Sequence, residues 1–245
     1  IWALPTTPST LALHWNKALF REAGLDPERP PRTIAELDQY AEKLTKYDKD
    51  GNIIQLGFLP SEPGWWPWAW GFWFGGRLWD GKNKITAYSP ENLAMMRWVA
   101  SYSHKYGLEK LKRFTSGFGN FSSPQNAFLS GLVAMELQGV WMHNFIEKYA
   151  PGMEWGVAPF PSAVPGLDSV TIAEADILVI PRGARHPDEA FEFMKFVNSL
   201  RGMEMLCMGQ RKHSPLQRTS HWFRTHHPHP YLDLFTNLAK SKKEG

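Results

Sequence analysis

A carboxylate at the mouth of a tryptophan run is the densest arrangement of chemistry-bearing side chains here: Ser61-Glu62-Pro63-Gly64-Trp65-Trp66-Pro67-Trp68, continuing to Trp70, Phe72, Trp73 and Phe74. Pro63 and Gly64 place its start in a loop. A sugar ring has an apolar C–H face and a polar rim of hydroxyls, so a flat indole below it and a carboxylate beside it match both. Trp65 and Trp66 are therefore candidate platforms and Glu62 a candidate hydroxyl acceptor, with a packing role for the two indoles left open. For Trp68, Trp70, Phe72, Trp73 and Phe74 the expected role is core filling, because large aromatics bury.

Trp141 follows Gly139 at a strand-to-helix transition, where a ligand can approach the backbone closely, and is a second candidate platform. Glu174 and Asp176, just before the apolar run Ile177 to Ile180, are candidate hydroxyl acceptors or exposed loop carboxylates. Glycoside hydrolysis would need two carboxylates facing across a sugar, and Glu62 with Asp80 or Glu174 is the pair on offer. The run Thr225-His226-His227-Pro228-His229 reads as a surface loop, since Pro228 prevents helical presentation of imidazoles to a metal. Likewise Asp48-Lys49-Asp50-Gly51-Asn52 reads as a turn and lacks the further oxygens of a calcium loop. Walker, GxSxG, HExxH and GxGxxG motifs do not occur.

The 245 residues include 12 Trp, 15 Phe and 7 Tyr, a heavy aromatic load in an otherwise average globular composition. A net charge of +3 from 27 basic and 24 acidic side chains is too small for a nucleic-acid footprint. The single Cys207 excludes an intrachain disulfide and leaves the compartment open. The opening Ile1-Trp2-Ala3-Leu4-Pro5 has no secretion signal, which is then absent or already removed.

The elements that must position these residues alternate between strand and helix, which predicts an α/β architecture. Strands are expected at Thr10–Trp15, Ile53–Leu59, Leu132–Leu137, Trp155–Phe160 and Ile177–Ile180. Helices are expected at Asn16–Ala23 and, from the capping box Thr33…Glu36, at Thr33–Lys46. Ser89-Pro90 starts another, with Leu93, Met96, Val99 and Ser103 on one face. Ser123-Pro124 starts one that ends at Gly131. Two more cover Gly139–Tyr149 and the segment from His186-Pro187, which carries Phe191, Met194 and Val197.

Four stretches together resemble the extracellular solute-binding proteins of ABC sugar importers, of the maltose-binding-protein type. They are Thr10-Leu11-Ala12-Leu13-His14-Trp15-Asn16-Lys17 running on to Thr33-Ile34-Ala35-Glu36-Leu37; Phe128-Leu129-Ser130-Gly131-Leu132-Val133-Ala134-Met135 with Gly139-Val140-Trp141; Trp155-Gly156-Val157-Ala158-Pro159-Phe160-Pro161; and Val179-Ile180-Pro181-Arg182-Gly183-Ala184 leading into Pro187-Asp188-Glu189-Ala190-Phe191.

The resemblance implies a periplasmic-binding-protein type II-like fold that closes on a sugar or oligosaccharide and delivers it to a membrane permease, outside the cytoplasm, without catalysis or cofactor. It implies that Glu62 to Trp66 and Gly139 to Trp141 line the ligand cleft and that Ser9 lies near the first crossover. By the same resemblance, residues 1–155 and 214–245 belong to the C-terminal lobe and 156–213 to the N-terminal lobe. The family's chains carry a further segment ahead of the match to Ile1, so this polypeptide is expected to be a piece of a longer receptor or half of a split one. An uncovered apolar helix face at Phe191, Met194 and Val197 would then favour a missing lobe or self-association. Two other functions stay open, a hydrolase using Glu62 as acid or base and a Trp-rich protein-interaction module.

Overall fold

A computed structural model describes residues 3–240; the basic tail beyond Lys240 lies outside the described residues. Along the chain run β1 (Leu4–Asn16), α1 (Lys17–Glu22), α2 (Ile34–Leu44), β2 (Lys46–Tyr47), β3 (Ile53–Gln55), a 3-10 helix (Trp70–Phe74), α3 (Pro90–Tyr106), α4 (Leu108–Thr115) and β4 (Met135–Gly139). Then follow α5 (Met142–Tyr149), β5 (Trp155–Ala158), β6 (Ala173–Leu178), α6 (Pro187–Val197), α7 (Leu200–Gln210), α8 (His221–His226) and α9 (Leu232–Ala239). They form two compact units: a larger one of Ala12–Gln138 and Phe145–Val170, and a smaller one of residues 3–11, Gly139–Asn144 and Thr171–Lys240.

In the larger unit β5 pairs antiparallel with the second half of β1, setting Trp15 opposite Gly156. A β-carbon at Gly156 would lie 2.1 Å from the Trp15 indole, so glycine is required where the ring crosses the neighbouring strand. The strand β4 is buried along its whole length. The Thr33 hydroxyl accepts from the Glu36 amide, as the capping box predicts. The Glu36 carboxylate, however, takes the amide of Arg32 rather than that of the cap residue. The helix α2 buries Ile34, Leu37, Tyr40, Ala41 and Leu44 as one amphipathic face, with Tyr40 edge-on to Phe20 of α1.

The helix α3 starts at Ser89-Pro90 as predicted, but its buried face is Asn92, Met95, Trp98, Tyr102 and Tyr106, while Met96 is exposed. A polar residue belongs to that face because the Asn92 amide donates to the carbonyls of Arg77 and Thr86 and clamps the loop between them. The Trp98 indole and Tyr102 hydroxyl both donate to Asp38, tying α3 to α2. Phe58, Trp70, Trp73, Trp98 and Phe160 pack ring on ring into the core, so the expected burial holds for Trp70 and Trp73. Trp68 departs from it and is exposed.

The helix expected from Ser123-Pro124 to Gly131 is a series of turns. Asn126 Oδ1 accepts from the amides of Phe128 and Leu129, a local capture that competes with helical bonding. Asp48 holds the β2–β3 connection by accepting from the amides of Asp50 and Asn52, as the turn reading predicts.

In the smaller unit β6 pairs antiparallel with the first half of β1, with Ser9 opposite Glu174 and Pro5 opposite Ile177. Its core is Met203, Cys207, Phe223 and Leu232, with Val197, Met208 and Leu216 packed against it. Residues 214–240 thus pack on α7 through Phe223 and Leu232. The apolar face expected on α6 holds at Phe191, which is exposed, and is corrected at Met194, which is buried, and Val197, which packs on the core; Phe193 and Phe196 are the further exposed apolar side chains. Among the described residues no helix is long and apolar enough to cross a membrane.

Candidate functional site

The larger unit carries a narrow crevice walled by Glu62, Pro63, Trp65, Trp66, Trp70 and Leu137. Its loop is shaped by Gly64, which has φ +81° and would put a β-carbon 2.9 Å from the Ser61 carbonyl oxygen. Only glycine takes that conformation at low cost. The two tryptophans then separate in role. Trp66 is buried, whereas Trp65 is 38% exposed. Trp65 is braced edge-on by Trp66 at 5.2 Å and by Phe121 at 4.5 Å, so an exposed indole is held rigidly.

Glu62 is half-buried in the crevice wall. Loss of solvent pushes its carboxyl up to about 7. One residue before Leu137, Glu136 is fully buried on β4. One of its oxygens accepts from the Gln138 amide at 3.1 Å, and the other has no hydrogen-bond partner. Burial, followed by the charge of Glu62, raises Glu136 well above the carboxylate range. Sequence reading missed Glu136 altogether. The available signal was an acid in the middle of the apolar run Val133-Ala134-Met135-Glu136-Leu137.

The smaller unit holds the other sequence candidates. A β-carbon at Gly139 would meet the Trp141 ring at 2.2 Å, so the Gly-x-Trp spacing exists to let the indole fold back over the backbone. Lys212 Nζ lies 5.9 Å from the centre of that ring. Asp176 lies inside β6 rather than before a strand, is exposed, and receives Lys212 Nζ at 3.5 Å and the Thr7 hydroxyl at 3.3 Å. Glu174, also within β6, is exposed beside a cavity of about 800 Å³ that His213 and Arg224 line too. Ser9 is half-buried on β1 across from it. Lys212 is the residue of this group that sequence reading missed.

Asp80, the suggested hydrolytic partner of Glu62, is exposed, and its Oδ1 accepts from the amides of Lys82, Asn83 and Lys84. Those bonds hold it below the usual carboxylate range and commit it to a turn. The histidine run is corrected from a surface loop: His226 ends α8, while His229 is buried with Nε2 3.2 Å from the Val140 carbonyl oxygen. Among the described residues no cluster of three metal-ligating side chains occurs.

Helices packed on antiparallel-paired strands give this chain a periplasmic-binding-protein type II fold. The sequence model of the bacterial extracellular solute-binding proteins matches residues 1–204, and the chain belongs to that family. A solved structure, CpMnBP1 with mannobiose bound, aligns over 99% of this chain and 61% of its own at TM-score 0.87 and 33% identity. A cyclo/maltodextrin-binding protein complexed with maltotetraose shares the fold at TM-score 0.66 and 21% identity, over 98% of this chain and 58% of its own. The sn-glycerol-3-phosphate-binding periplasmic protein UgpB of Escherichia coli (strain K12) is 39% identical over 61 residues, which are 25% of this chain and 13% of UgpB. The chain therefore spans less than two thirds of the length of each of these relatives.

Proposed function

We propose that this chain is the carbohydrate-binding part of an ABC importer's solute-binding protein. It holds a sugar or oligosaccharide by indole stacking and carboxylate hydrogen bonds, catalyses no reaction, and hands the ligand to a membrane permease from the periplasm or cell exterior. The observation that carries this is Trp65, an exposed indole fixed by two perpendicular rings beside Glu62. An aromatic face already held out to solvent loses little freedom when a sugar covers it. The likeness to chains solved with mannobiose and mannotriose, at 33% and 32% identity, supports the same ligand class. Trp141, Ser9, Glu174 and Asp176 are proposed as further contacts. In the whole protein, closure of two lobes would trap the ligand and present the closed form to the permease.

The test is a tryptophan-fluorescence titration of the chain with mannobiose and mannotriose. Trp65→Ala is expected to raise Kd about tenfold or more through lost stacking area. Because Trp65 is partly exposed, its melting temperature should stay within about 3 °C of the parent. Equal affinity in the variant would remove Trp65 from the site, and no saturable response to either sugar would defeat the reading. A hydrolase has one observation in its favour, the raised carboxyl of Glu62, which is the state a general acid needs. Reducing-sugar release abolished by Glu62→Gln would establish it.

A further inference from the structure

The crevice beside Trp65 carries Glu62 in its wall, and the strand that supplies its Leu137 wall carries a second acid, Glu136, at the adjoining position. None of the described residues lining the crevice is basic. Glu62 forms part of its wall, and Glu136, one residue before the wall residue Leu137 on β4, is fully buried with a single hydrogen bond from Gln138 and one oxygen without a hydrogen-bond partner. The charge that acts on Glu136 is that of Glu62, from the segment after β3, while His14, on the neighbouring strand β1, is itself fully buried and held uncharged. A lone buried carboxylate with half its acceptor capacity empty, no cation and a second acid nearby is strongly disfavoured against its protonated form.

We propose that Glu62 and Glu136 form a proton-holding pair, Glu136 keeping its proton while Glu62 exchanges its own, and that capture of a neutral sugar is thereby linked to pH. This rests on the sugar-binding reading above. Glu62 exchanges at about 7, and the charge it then carries holds the Glu136 proton more firmly. As Glu62 ionises it becomes a charge-assisted acceptor for sugar hydroxyls, which makes bonds about twice as strong as neutral ones. Affinity for mannobiose is expected to rise about fivefold from pH 6 to pH 8. A phosphorylated sugar would follow the opposite course, because the new charge repels it.

Two measurements decide the matter. Infrared spectroscopy of the unliganded chain should show the carbonyl band of protonated carboxyl at pH 6, part of which disappears by pH 8. Glu62→Gln should abolish the part that titrates near 7, and Glu136→Gln the part that persists at pH 8. Absence of a protonated-carboxyl band at pH 8, or a band unchanged in Glu136→Gln, overturns the pair. Mannobiose titrations at pH 6, 7 and 8 should then show the rise in the parent and a flat profile in Glu62→Gln. Sugar binding that is equal at all three pH values overturns the linkage and leaves the binding reading standing. Absence of mannobiose and mannotriose binding at every pH defeats the binding reading itself, and the infrared result still judges the pair.

Discussion

Gly57→Ala is expected to destabilise the larger unit by about 3 kcal/mol or more, which lowers the melting temperature of a chain this size by about 6–12 °C. The added β-carbon would lie 2.2 Å from the Ala41 carbonyl oxygen and 2.4 Å from its α-carbon, both in the backbone of α2, where no rotamer change can relieve the overlap. Gly57 cannot retreat either, because its carbonyl accepts from the Met135 amide at 2.8 Å and its amide donates to Thr45 Oγ1 at 3.1 Å. The helix must back away, and the burial of Leu37, Tyr40 and Leu44 is loosened with it. A control separates this from glycine chemistry in general. Gly209, exposed in the last turn of α7 with no atom within 4 Å of an added β-carbon, should gain about 0.5–1 kcal/mol on conversion to alanine. Urea unfolding of both variants checks the pair, and a Gly57→Ala loss under about 1 kcal/mol would sink the argument.

Such close approaches were invisible in the sequence, whereas signals confined to a few neighbouring residues were legible. Thr33 three residues before Glu36, Ser89 before Pro90, and Asp48 ahead of Gly51 act through bonds that a short segment makes to itself. The helix read from Ser123-Pro124 fails for a reason of the same range: the side chain of Asn126 offers the backbone amides an alternative partner. Faces set by distant partners were harder to read. Leu93, Met96 and Val99 look like a core stripe until Asn92 is required inside to hold the 77–86 loop, which rotates the buried face of α3 and leaves Met96 in solvent.

The site divides in the same way. Glu62 and Trp65 adjoin in sequence, and their chemistry could be read together, but neighbouring tryptophans gave no hint of which would bury. Nor could they foretell that Phe121, far along the chain, stands edge-on to Trp65. Glu136 and Lys212 reach the candidate residues only through tertiary packing, and an acid in an apolar strand looks like an interruption until its burial beside Glu62 is seen. The solute-binding family, by contrast, was legible from four dispersed stretches, because each is local and their order is preserved.

The two units are expected to answer pH with opposite signs between about pH 5 and pH 7. In the smaller unit His213 is buried, neither ring nitrogen has a hydrogen-bond partner, and burial lowers it to about 4. A histidine lowered on folding contributes stability that is present above its unfolded value near 6.5 and is lost as pH falls through the folded value. Half-buried His227 is lowered too, first by burial, and acts in the same direction.

In the larger unit Glu136 and Glu62 are raised, so the stability they contribute is present below a carboxyl's unfolded value and is lost as pH rises through the folded value. His14, lowered to about 4 by burial, opposes them up to its unfolded value near 6.5, and two groups outweigh one. Each fully shifted group changes stability by about 1.4 kcal/mol per pH unit. His213→Gln should therefore flatten the acid-side loss of protection in α7 and α8, and Glu136→Gln the loss in β4 as pH rises. Hydrogen exchange at pH 5, 6 and 7, corrected for intrinsic rates, resolves the two units separately. Parallel slopes in β4 and α7 of the parent, or variants whose slopes match the parent's, would refute buried histidine and buried acid as the groups that set them.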